Sequence, residues 1–189
     1  MRLPPLSPET LSPELRFVHE EIAKLVARSQ GQVTMLDSQG ALIGPFPAML
    51  HFPQFGVPAL EFLRSLDAKA SLDKRVREVA ILTVGAVFGA RFELYAHEIM
   101  ATSFGLSPAV VATLAAAERP GELSDEEAIA YDVARTLVTG RIVPASTYKR
   151  ALQLLGRNGV GELMYLIGGY CLIAMLLNGF DVPAPETGK

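Results

Sequence analysis

"REVAILTVGAVFGARFELYAHEIM", residues 77–100, is the stretch on which the reading of this chain turns. Its apolar residues recur at helical spacing up to Phe88, Gly89 then offers a stop, and a second amphipathic run follows to Gly105. The β-branched residues of "VAILTVGAV" leave a strand as the alternative for the first half. Read as helices over Asp73–Phe88 and from Arg91 onward, the two segments fold back on each other about Gly89 and Ala90. Glu78 then lies about 11 residues before the turn and His97 about 8 after it. At ~1.5 Å rise per residue they are roughly 5 Å apart along the axis, within side-chain reach. Glu93 and His97, four apart, share one helix face and can share a hydrogen bond or a ligand. Glu78 sits in an otherwise apolar row apart from Arg77, where an unpartnered acid is costly. Two glutamates and one histidine between helices would satisfy one another and make an acid–base site.

Outward from this hairpin the pattern stays helical. Toward the C-terminus, Ser107-Pro108 opens a helix over "PAVVATLAAA", and the capping box "SDEE" from Ser124 starts another that ends at Gly140. Helices over Ala145–Leu155 and Val160–Asn178 close the chain. Toward the N-terminus, Glu14–Arg28 is an amphipathic helix with His19 on its polar side. "DSQG" suits a small hairpin between two short apolar runs. "GPFPAMLHFPQFG" reads as an irregular passage into a helix over Val57–Leu66. The proline-rich first ten residues would stay loose or run over a neighbour. The expectation is an all-α chain with one domain over 1–189: an N-terminal extension over 1–70 and core helices over 71–180.

Composition narrows the function. The chain has 189 residues, 50% of them hydrophobic and 20% charged, with a net charge of −3. No basic stripe invites nucleic acid. The most apolar run, "LMYLIGGYCLIAMLL" (163–177), is shorter than the roughly twenty residues of a membrane span, so it reads as a core or interface helix. The apolar excess then points to a homo-oligomer. The start has no apolar leader, and a cytoplasmic location is expected. Cys171 is the single cysteine, so the chain has neither an intrachain disulfide nor a redox pair.

The order Glu78, Ala90, Glu93, His97 follows the E-x11-C-x2-C-x3-H spacing of alkylhydroperoxidase D, with alanine and glutamate at the two cysteine positions. "REVAIL" followed by "ARFELYAHEIMA" and "GLS" resembles the carboxymuconolactone decarboxylase family, the thiol-free branch of that superfamily. The resemblance is strongest over Asp73–Ser107 and continues through "GELMYLIGGYCLIAMLLNGFDVPAPE". It implies an alkylhydroperoxidase D-like helical domain and a trimeric or hexameric homo-oligomer. It also implies no cofactor, and decarboxylation of a small unsaturated lactone in aromatic catabolism. Thiol peroxidase activity is excluded, because its chemistry needs an attacking and a resolving thiol.

On that resemblance His97 donates the proton, Glu93 sets its charge and orientation, and Glu78 completes the network. Arg77, Tyr95, His51 and Tyr170 are candidate substrate contacts. Isomerisation or hydration of a related lactone or keto acid would use the same parts. Two alternatives remain: a metal enzyme liganded by Glu78, Glu93 and His97, and a non-catalytic helical ligand-binding oligomer.

Overall fold

The computed structural model describes residues 1–28 and 33–185. Among the described residues there are eight α-helices: α1 (Pro13–Arg28), α2 (Phe46–His51), α3 (Pro53–Ala68), α4 (Lys74–Phe88), α5 (Arg91–Ser103), α6 (Pro108–Ala115), α7 (Asp125–Val138) and α8 (Ala145–Gly179). Among the described residues, strand-like pairing is confined to one antiparallel bridge between Leu36 and Leu42. There the Asp37 carboxylate accepts from the backbone N–H groups of Gln39 (2.8 Å) and Ala41 (2.9 Å), making the small hairpin that "DSQG" predicts.

α4 is the axis of the fold, packed against α5, α6, α7 and α8. Every residue from Val76 to Gly85 is buried, all round the helix. The helix reading holds over the strand that its β-branched residues left open, and the helix is enclosed on all sides rather than amphipathic. Its start is capped by Asp73, which accepts from the Arg75 N–H at 2.8 Å. Its end is closed by Gly89 in the left-handed region (φ 62°, ψ 34°), with Ala90 N–H donating to the Gly85 carbonyl at 2.9 Å. A side chain at Gly89 would strain that turn, which sends α5 back along α4.

Ser107 caps α6, and the Ser124–Glu127 capping box opens α7. Glu127 also faces Arg75 of α4 at 2.9 Å, so one carboxylate caps α7 and ties it to the axis.

Several outer elements differ from expectation. The helix expected over Val57–Leu66 begins earlier, at Pro53, with Pro58 inside its first turns, and α2 precedes it. The two expected C-terminal helices are both present: α8 is broken at Gly156, whose φ of 67° and ψ of 175° are non-helical, into the segments that the sequence predicts. By length and composition alone α8 would pass for a membrane span, yet its inner face packs on α4, α7, α3 and α5. Its close approach to α3 depends on Gly169, where a Cβ would meet Leu66 Cδ1 and Phe62 Cε1 at 3.2 Å.

His19 is buried, not on a polar face, and its Nε2 bonds the Gly40 carbonyl at 3.0 Å, joining α1 to the hairpin. The first residues are likewise tied down. Arg2 donates from its backbone and its guanidinium to the carbonyls of Phe180 and Gly179, both at 2.8 Å.

Candidate active site

The α4–α5 hairpin puts two glutamates and a histidine inside. Glu78, Glu93 and His97 are 4%, 2% and 8% exposed, a degree of burial that ionisable groups accept only with compensation. Compensation is unequal among the three. His97 Nδ1 lies 2.8 Å from Glu78 Oε2. A carboxylate can only accept, so Nδ1 carries the proton of that bond and Nε2 is left for other chemistry. Among the described residues Nε2 has no hydrogen-bond partner.

Glu93 is the uncompensated member. Neither of its buried oxygens has a hydrogen-bond partner among the described residues. Burial therefore pushes its carboxyl well above the ordinary value of 4.5, so it retains its proton where exposed glutamates are ionised. The carboxyl lies against Gly85 of α4, where a Cβ would stand 3.2 Å from Oε1. This corrects the expectation that Glu93 orients His97. The i,i+4 spacing makes them neighbours, but the partner of His97 comes from the other helix.

α8 closes the site. The Tyr170 ring meets the His97 ring at 5.0 Å between centroids and 87° between planes. Burial, followed by the Glu78 and Glu93 carboxyls, pushes the half-buried Tyr170 phenol above its usual range, so it stays a neutral donor. Its hydroxyl has no partner among the described residues. The neighbouring Cys171 thiol is also raised, by burial first and Glu93 second, and stays protonated.

The other expected contacts are engaged elsewhere. Arg77 donates to Asp67 Oδ1 at 2.9 Å, to the Leu66 carbonyl at 3.1 Å and to Glu162 Oε1 at 3.4 Å, so its guanidinium locks α4 to α3 and α8 rather than awaiting a substrate. A helix turns about 100° per residue, which is why the neighbour of Glu78 points away from it. The Tyr95 hydroxyl accepts from the Thr34 N–H at 3.1 Å, and its ring packs edge-on against Phe92 at 5.8 Å. His51 Nε2 bonds the Pro4 carbonyl at 3.0 Å. Tyr95 thus ties the N-terminal extension to α5, while His51 holds the first residues onto α2 within that extension.

Sequence reasoning missed Glu162. Besides Arg77, its carboxylate accepts from Ser71 N–H and Oγ at 2.7 Å and from Leu72 N–H at 3.1 Å, pinning the α3–α4 turn. The available signal was a lone acid at the edge of the most apolar run in the chain. Two surface grooves, of about 220 and 290 Å³, are lined by none of Glu78, Glu93 and His97. Among the described residues no group of three or more His, Cys, Asp or Glu is arranged to hold a metal ion.

No protein-family description matches the chain, and no curated protein does. Among solved structures, a cysteine-to-alanine variant of the debrominase Bmp8 in complex with 2,3,4-tribromopyrrole matches with a TM-score of 0.74. The match covers 98% of this chain and 92% of that one, at 12% sequence identity. The fold is alkylhydroperoxidase D-like. At that identity the likeness speaks for the fold alone.

Proposed function

We propose that this chain is a cofactor-free acid–base enzyme, a lyase of the 4-carboxymuconolactone decarboxylase type that acts on a small unsaturated lactone or keto acid. One observation carries the reading: a carboxylate-bonded imidazole, Glu78–His97 at 2.8 Å, lies one helical turn from an orphaned, protonated Glu93 in the buried part of the hairpin. An imidazole free at one nitrogen, set close to a carboxyl that keeps its proton, is a pairing that acid–base catalysis uses.

In such a substrate the departing carboxylate is conjugated through the double bond to the lactone carbonyl. The C–C bond breaks, carbon dioxide leaves, and the electron pair delocalises as a dienolate. The Glu93 O–H stabilises the developing oxyanion, worth about 3 kcal/mol for one well-placed donor in a water-poor site. The imidazolium of His97, held by Glu78, returns a proton to carbon from Nε2. Tyr170 supplies a second neutral donor and a flat wall.

The test is carbon dioxide release from 4-carboxymuconolactone by the purified protein, with His97→Ala alongside. Turnover in the wild type, lost in a variant that keeps its helical circular dichroism, supports the reading. Undiminished turnover by His97→Ala ends it.

A further inference from the structure

Decarboxylation by itself needs no base. The substrate's carboxylate leaves its own electron pair behind, and the protein has only to stabilise an oxyanion and return one proton. The α4–α5 hairpin holds more than that. With Nδ1 bonded to Glu78 at 2.8 Å, the neutral His97 ring has its lone pair at Nε2, the arrangement of a carboxylate-backed general base. One turn earlier on the same helix, the Glu93 carboxyl is 2% exposed and has no acceptor among the described residues. A proton acceptor and a proton donor are thus held on one face of α5, with the Tyr170 ring set edge-to-face on the imidazole.

We propose that this site, beyond the decarboxylation inferred above and resting on the same residues, enolises small unsaturated lactones and ketones that carry no carboxylate to lose. His97 Nε2 removes a proton from the carbon beside the carbonyl, and that C–H electron pair becomes the new C=C bond. The carbonyl π pair takes the proton of Glu93, giving a neutral enol, an imidazolium and a Glu93 carboxylate. The imidazolium then delivers its proton to the far end of the dienol, and Glu93 recovers its own from the enol O–H. The double bond has moved, both residues are restored, and no oxidant, reductant or cosubstrate is consumed.

The probe is α-angelica lactone, a butenolide without a carboxylate, incubated with the full-length protein in D2O and followed by proton NMR. The expected result is deuterium exchange beside the carbonyl and conversion to the conjugated isomer. The rate should saturate with lactone and exceed the buffer rate by about 100-fold, the low end for positioned acid–base catalysis. His97→Gln and Glu93→Gln should each lose that gain while keeping the wild-type circular dichroism.

Carbon dioxide release from 4-carboxymuconolactone without exchange of the butenolide would overturn this inference and leave the decarboxylase reading standing. Exchange without carbon dioxide release would do the reverse. Wild-type exchange that does not saturate, or that survives in Glu93→Gln, would refute the acid–base pairing itself. The saturation test uses wild-type protein alone, so it decides the matter even if a variant fails to fold.

Discussion

Replacing Glu93 by glutamine separates two costs that the buried carboxyl imposes, because only one depends on pH. The side chain keeps its volume, so the contact with Gly85 is preserved. An amide in that position is as unpartnered as the acid, and a buried group without a hydrogen bond costs about 1–3 kcal/mol at any pH. That cost appears in both proteins as a near-constant offset. The ionisation cost belongs to the wild type alone. Burial raises the folded-state carboxyl well above 4.5, whereas in the unfolded chain it titrates near the ordinary glutamate value.

Below about pH 4 both states of the wild type hold the proton and no ionisation penalty exists. As pH rises past that point the unfolded chain releases the proton first, so the folded state binds more protons and loses stability, until Glu93 itself ionises in the folded protein. Each unit by which the folded value exceeds the unfolded one is worth about 1.4 kcal/mol. For a chain of 189 residues, each kcal/mol shifts the melting temperature by roughly 2–4 °C. The assay is thermal or urea unfolding of wild type and Glu93→Gln between pH 4 and 9. The difference should be smallest at the acid end and grow in favour of the variant as pH rises. Parallel curves across the range would refute a raised, unpartnered carboxyl at this position.

Three further outcomes follow from the packing. Gly85→Ala places a methyl 3.2 Å from Glu93 Oε1 and 3.3 Å from Leu94 Cδ2, so the carboxyl must give by a few tenths of an ångström. Helix propensity favours alanine by about 1 kcal/mol, so stability should hold or rise while turnover falls several-fold; a loss of more than about 2 kcal/mol in urea unfolding would mean the contact cannot relax. Arg77→Met breaks a pair in which both side chains are 9% exposed on the Arg77–Glu162 side, and should cost about 3 kcal/mol with KM unchanged; a large KM rise in folded protein would restore Arg77 as a substrate contact. On α8, Tyr165, Leu172 and Met175 are exposed apolar side chains on one face. The homo-oligomer is expected to bury that face, so Leu172→Glu with Met175→Glu should lower the mass seen by light scattering, and a wild type that is monomeric at all concentrations would remove the idea.

Glu78 and His97 were legible because both lie within one short hairpin. Helical rise and a single glycine turn are local rules, and they bring the two residues within reach whatever the rest of the chain does. Glu93 was legible as a neighbour of His97, but its state was not. Whether a carboxyl is bonded, ionised or orphaned depends on what lies across from it, and here Gly85 offers no donor. Arg77 misled for a related reason. Beside a buried acid it looks like a free cation, and nothing local announces that Asp67 of α3 and Glu162 of α8 will engage it. His19 shows the same limit, since the charges around it suggested a solvated face while the hairpin carbonyl of Gly40 buried it.

By itself, then, the sequence determined the helices from α4 onward, the caps at Ser107 and Ser124, the turn at Gly89 and the absence of a thiol pair, because each rests on residues within a few positions of one another. The tertiary structure alone decided that His97 bonds Glu78 rather than Glu93, that Glu93 keeps its proton, and that Arg77 is a fastener. Those outcomes are set by burial and by partners some 10 to 85 residues away along the chain, as in the bonds of Arg77 to Asp67 and Glu162. No local pattern encodes how much water a side chain will keep.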